Sequence, residues 1–133
     1  MRYNVKLSHR QRFDLYTFLA NTVQPKDRAE ARTLKKVFET FSLNRFQDDV
    51  ERAQAHKQPA IDRLSYPTLK EEIAIDELTM VSTLEYLDRP GATAIGSLLI
   101  LEISEELLAS KERPKVEVPK DESYSENVVR KFG

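Results

Sequence analysis

The stretch RYNVKLSHRQRFDLYTFLANTV, residues 2–23, changes period once, and that change decides the fold class. Tyr3, Val5 and Leu7 alternate with Arg2, Asn4 and Lys6, which is the period of a half-buried strand. Ser8 then stands where a helix cap belongs, with Gln11 three residues on. In this capping-box pattern the two side chains each satisfy a backbone N–H that the helix start leaves free. Behind it Phe13, Leu15, Tyr16, Phe18, Leu19 and Val23 cover a wide apolar arc, so the spacing predicts a central helix. Pro25 ends it, because the residue before a proline is pushed out of helical geometry.

Reading outward, a second helix is expected from Pro25, with Asp27 and Glu30 favoured by the positive end of its dipole. Leu34, Val37, Phe38 and Phe41 form its core stripe. Ser42 or Asn44 can cap a third helix, in which Leu43, Phe46, Val50 and Ala53 share a face. Residues 58–70 carry Pro59 and Pro67 and little periodicity; Ile61 and Leu64 could anchor a short turn on the core.

In Glu71-Glu72-Ile73-Ala74-Ile75-Asp76, Ile73 and Ile75 alternate with polar or small residues. This is either a short strand able to pair with residues 2–7, or part of a helix beginning at Thr68. Asp76 suits the N-cap of a helix over 77–88 with Leu78, Val81, Leu84 and Leu87 inward. Arg89-Pro90-Gly91 is a turn. Thr93 can cap a last helix to about Ala109, apolar nearly all round its middle through Ile95, Leu98, Leu99, Ile100, Leu101, Ile103, Leu107 and Leu108. Such a helix is deeply buried or buried against a partner.

The expected fold is therefore mostly α: a compact bundle of about five helices in one domain over 1–110, with room for a short two-stranded pairing of 2–7 with 71–75. Residues 111–133 are polar, with Pro114 and Pro119, and read as an extended or disordered tail.

Composition supports a self-sufficient soluble domain. Of 133 residues, 40% are hydrophobic and 32% charged, enough for a core without disulfide or metal. There is no Cys, hence no thiolate nucleophile or Cys-based zinc site. The N-terminus lacks the apolar stretch of a secretion signal, and Leu98–Leu101 is far too short an apolar run to span a membrane. A cytoplasmic location and no membrane partner are expected.

Residues that could carry catalysis do not assemble by spacing. His9 and His56 lack a second ligand at metal spacing and read as surface residues. Glu71, Glu72, Asp76 and Glu77 invite a cation-site or carboxylate-pair reading, but Asp76 is explained as a cap, Glu77 as a first-turn acid, and Glu71 and Glu72 as the solvent side of a strand. With three glycines there is no phosphate-cradling loop. No catalytic residue, cofactor or metal is expected, and the chain does not read as an enzyme.

The net charge of −1 conceals an asymmetry. Residues 1–57 carry 12 Lys/Arg against 7 Asp/Glu, and residues 58–110 carry 3 against 10. Arg10, Arg28, Arg32, Lys35 and Lys36 are candidate nucleic-acid contacts if the first strand and two helices present them together. A solvated helix face is the plainer account, and the whole-chain pI near 6.2 supports it. The last helix and tail point instead to a protein partner or self-association, with Leu98, Leu101, Ile103, Leu107, Leu108, Val128, Val129 and Phe132 as the candidate interface.

The ordering of parts resembles that of small uncharacterised helical proteins encoded by bacteriophages. The likeness lies in the strand running into a Leu-rich helix from Val5-Lys6-Leu7-Ser8, in Glu72-Ile73-Ala74-Ile75-Asp76 leading into Leu78–Leu87, and in the final helix Leu98–Leu108. Residues 42–67 and the tail depart from it. The resemblance implies a phage accessory, inhibitor or virion-assembly factor, acting in the host cytoplasm or the virion, and brings no catalytic residue.

Overall fold

Ser8 and Asp76 each end a strand and start a helix, and these two corners lay out the rest of the chain. A computed structural model describes residues 2–59 and 61–112. Strand β1 (Arg2–Ser8) leads directly into α1 (His9–Thr22); α2 (Arg28–Thr40), α3 (Asn44–Ala55) and a 3₁₀ turn (Arg63–Ser65) follow. Strand β2 (Lys70–Asp76) leads directly into α4 (Glu77–Leu87), and α5 (Ala94–Glu112) closes the fold.

The strands pair antiparallel from Arg2↔Asp76 to Ser8↔Lys70, so 70–76 is a strand and the helix from Thr68 does not form. Tyr3 and Val5 face across to Ile75 and Ile73 on the inner side of the ribbon, and Leu7 faces Glu71. Ser8 Oγ accepts the Gln11 N–H at 3.0 Å while Gln11 Oε1 accepts the Ser8 N–H at 3.0 Å, completing the capping box. Asp76 Oδ1 accepts the Thr79 N–H at 2.8 Å. In an antiparallel ribbon these caps lie at opposite ends, so α1 and α4 leave from opposite ends too.

The ribbon's inner face meets α5 and α4, α1 packs on α5, and α2 packs on α4 and β2. Val5, Leu7, Leu15, Leu19, Val37, Phe41, Leu43, Phe46, Met80, Ile103 and Leu107 form the fully buried centre. An aromatic cluster ties α3 and the 3₁₀ turn to α1: Phe13 stacks on Tyr66 at 4.9 Å, and Phe46 meets both edge-on at 5.7 and 5.3 Å.

Several expectations need correction. Helix α2 begins at Arg28, not Pro25, because Asp27 Oδ1 accepts the Glu30 N–H and Glu30 Oε1 accepts the Lys26 N–H, which starts the helix three residues later. Neither Ser42 nor Asn44 caps α3; Leu43 stands at its N-cap without a side-chain bond. The backbone there instead ends α2, with Leu43 N–H to Phe38 O and Ser42 N–H to Glu39 O. That is the Schellman pattern, which turns Leu43 into the core.

Of the inward face expected for α4, Leu87 is buried and Leu84 packs partly on the core, but Leu78 and Val81 do not face in. Leu78 and Val81 are exposed, and Thr79, Met80, Ser82, Thr83, Tyr86 and Leu87 face in. The helix's phase is set by the strand and cap that feed it, and that phase carries the small residues inward. Leu64 is exposed as well; Tyr66 anchors the 3₁₀ segment in its place. Thr93 does cap α5, its Oγ1 accepting the Gly96 N–H at 3.0 Å, and the helix continues to Glu112.

Ser42 and Lys57 occupy the left-handed position that closes α2 and α3, at φ 58° and 54°. A Cβ there costs about 1–2 kcal/mol, which glycine avoids. Ser42→Gly and Lys57→Gly are each expected to raise stability by about 1 kcal/mol, offset in part by the flexibility glycine adds to the unfolded chain. Urea denaturation of the full chain measures both.

Candidate functional site

Helix α5 crosses the ribbon, α1 and α4, and those neighbours cover one side of it only. Ile100, Ile103, Leu107 and Ser110 lie on the covered side. Leu98, Leu101 and Leu108 lie opposite, 65%, 51% and 48% exposed. Of the interface residues expected from sequence, these three are therefore in position. Ile103 and Leu107 are not: they follow Ile100 at i+3 and i+7, share its inward face, and are fully buried in the domain's own core. Val128, Val129 and Phe132 lie outside the described residues. Ile95 was missed and is 73% exposed. Its signal was legible, since it precedes Leu98 by three residues and so borders it on the helix surface.

Ile95 also belongs to a groove of about 450 Å³ between α1 and the start of α5. Phe13 and Phe18 supply one wall, and Ile95, Leu99 and Ile100 the other. Asp14 and Arg63 are its charged residues: Arg63 Nε and Nη2 donate to the two Asp14 carboxylate oxygens, each at 2.8 Å. The Asp14 side chain is buried, so this bidentate pair fastens the 3₁₀ turn to α1. The carboxylate beside it holds the Arg63 guanidinium above its ordinary pKa. Gly91 lines the turn between α4 and α5 at φ 123°, where a Cβ would sit 3.3 Å from the Thr22 methyl. Glycine lets that turn close on the end of α1.

The basic residues do not form one surface. Arg10 donates to the carbonyls of Tyr66 and Leu64 at 3.2 and 3.0 Å, holding the segment before β2. Lys36 lies 3.4 Å from Asp76. Both are thus engaged within the fold. Arg28, Arg32 and Lys35 remain exposed on α2 at i, i+4 and i+7, with no ion pair among the described residues.

The acidic cluster does not converge either. Glu71 takes Arg12 Nη2 at 2.9 Å, Glu72 accepts from Asn4 at 3.3 Å, Asp76 caps α4, and Glu77 accepts the Tyr3 hydroxyl. Glu71 is not on the outer side of the strand; it sits opposite Leu7 and reaches the buried Arg12. Among the described residues no group of three or more His, Asp or Glu could hold a metal ion. None of their helices is long and apolar enough to cross a membrane.

No family model, curated protein or solved structure matches this chain. What the coordinates define is the class: a mostly helical domain with a two-stranded antiparallel ribbon and an apolar outer face on its last helix.

His9 is a partly buried member of the Arg12–Glu71 group and not a free surface residue. Its Nδ1 lies 3.1 Å from Arg12 Nη2 and 3.7 Å from Glu71. Because Arg12 can only donate, Nδ1 must accept, so the ring is neutral with its proton on Nε2. Burial and then the charges of Arg12 and Arg45 lower its pKa below the ordinary 6.5, against the opposing pull of Glu71. The unfolded chain therefore takes up this proton first as pH falls, and stability is lost below about pH 6.5. Asp76, held down to about 2 by hydrogen bonding from Thr79, contributes stability above its ordinary 3.8 that is lost only as pH falls toward 2. Unfolding free energy followed from pH 7.5 to 5 is expected to decline in the wild type (scanned in roughly half-unit steps) and to flatten in His9→Gln.

Proposed function

We propose that this is a non-enzymatic binding protein that holds a protein partner on the outer face of α5, with Val128, Val129 and Phe132 of the C-terminal segment contributing. The partner is another protein or a second copy of the chain. No cofactor or membrane takes part. The pattern shared with small phage-encoded helical proteins suggests use as an accessory factor, an inhibitor or an assembly factor in the host cytoplasm or the virion.

One observation carries this: Leu98, Leu101 and Leu108 stand about half or more exposed on one side of a helix whose other side is core. Burying a leucine is worth roughly 1.5–3 kcal/mol. A contiguous apolar face on a small domain marks an interaction site more often than scattered exposed leucines do.

The triple variant Leu98→Ser, Leu101→Ser and Leu108→Ser tests it. Each side chain is still partly packed on the domain and serine is a poorer helix former, so each change is expected to cost roughly 1 kcal/mol. The fold should persist by circular dichroism while capture of partner, or self-association in sedimentation, is lost. Unchanged binding by a folded triple variant would count against the α5 face.

A second reading rests on Arg28, Arg32 and Lys35, three exposed cations on one face of α2 without ion-pair partners among the described residues. They could contact nucleic-acid phosphates. Three phosphate contacts would make affinity fall with a log–log salt slope of about −2 to −3. Reversing the three charges should abolish a mobility shift if nucleic acid is the ligand, and a shift insensitive to them would exclude this face.

A further inference from the structure

We infer that the outer face of α5 takes an amphipathic helix whose apolar stripe is flanked by Lys or Arg. This rests on the binding role of α5 proposed above and names the chemistry of the partner.

The shape comes first. Ile95, Leu98 and Leu101 follow one another in steps of three, and Leu108 lies two turns beyond Leu101. The stripe from Ile95 to Leu108 is about 20 Å long, the length of a four-turn helix. Its N-terminal end opens onto the groove of about 450 Å³, into which Phe13 and Phe18 also face. A ridge of leucines beside a socket large enough for one aromatic or branched side chain is the surface on which amphipathic helices lay i, i+3 and i+7 anchors.

The charge comes second. Glu102 and Glu105 are exposed on the same turns as the leucines; neither has a cation within ion-pair distance among the described residues, and Arg63 is close enough to feel the charge of Glu102. Glu106 differs, being 3.5 Å from Lys70. Lys111, the described cation of α5, lies in its last turn, beyond Leu108. The stripe is therefore apolar from Ile95 to Leu101, while Glu105, four residues after Leu101 and three before Leu108, places an acid on the stripe itself with Glu102 beside it. Two copies joined through this face would set Glu102 and Glu105 against like charges, which disfavours the pairing. A partner with cationic flanks meets complementary charge instead.

The test uses the full chain and labelled helical peptides of about four turns, read by fluorescence anisotropy. One peptide carries a leucine stripe flanked by Lys, its twin carries Glu in place of Lys, and a third has the Lys composition in scrambled order. The Lys-flanked helix is expected to bind at least about tenfold tighter than either control. Glu102→Gln with Glu105→Gln should weaken it several-fold and flatten its salt dependence. Leu98→Ser with Leu101→Ser should abolish it, and Leu78→Ser with Val81→Ser, on the exposed face of α4, should leave it unchanged.

Equal binding of the Lys and Glu peptides, both lost with Leu98 and Leu101, would overturn the charge inference while leaving α5 a binding face. No peptide binding, together with self-association that needs those leucines, would also overturn it and assign the face to a second copy. Affinity that rises in the full-length Val128→Asp, Phe132→Asp variant would overturn it by assigning the face to the chain's own C-terminal segment. Binding indifferent to Leu98 and Leu101 would remove both the inference and the α5 reading.

Discussion

The antiparallel pairing of Arg2–Ser8 with Lys70–Asp76 is the contact on which the other placements depend. It joins the first described residues to a segment about half a chain away, so forming it closes a long loop and costs entropy that its own few hydrogen bonds do not offset. The inner face offsets that cost by burying Tyr3, Val5, Leu7 and Ile75 against the helices. Because each strand passes without a loop into a capped helix, the register of the ribbon also fixes where α1 and α4 begin and which way they turn. Helix α5 then fills the remaining inner face, and among the described residues no element covers its other side.

Arg12 shows how the charge of the first half is used. Its guanidinium is buried beneath the ribbon and donates to the Phe41 carbonyl at 3.3 Å, to Glu71 and to His9. It thereby joins α1, the turn after α2 and β2. A buried cation is tolerated only when charge and hydrogen bonds surround it, and Glu71 supplies the charge from the acidic half. Arg63–Asp14, Lys36–Asp76 and Arg89–Glu30 likewise join distant segments. Arg12–Glu71 and Lys36–Asp76 set cations of the basic half against acids of the acidic half, whereas Arg63–Asp14 and Arg89–Glu30 join the halves with the signs reversed.

The same economy leaves the apolar surface where it is. A domain of this size has enough elements to enclose one face of a central helix but not two. Helix α4 buries threonines and a serine and turns Leu78 and Val81 outward, while α5 sends Leu98, Leu101 and Leu108 outward. On α5, unlike α4, the exposed residues adjoin a groove, which favours it over α4 as a binding face.

The local chemistry of residues 2–23 and 70–76 was enough to determine the mostly helical class, the capping box at Ser8, the cap at Asp76 and the possibility that the two strands pair. These features depend on spacing within a few residues, which a sequence displays directly. The core stripe of α2 was legible for the same reason. The phase of α4, the burial of Ile103 and Leu107, the engagement of Arg10 and the group formed by His9, Arg12 and Glu71 were decided by tertiary structure alone. Each depends on which of several equally apolar or equally charged residues faces a neighbour brought from far along the chain. On a helix as uniformly apolar as α5, periodicity cannot choose a side; the ribbon, α1 and α4 choose it by where they pack.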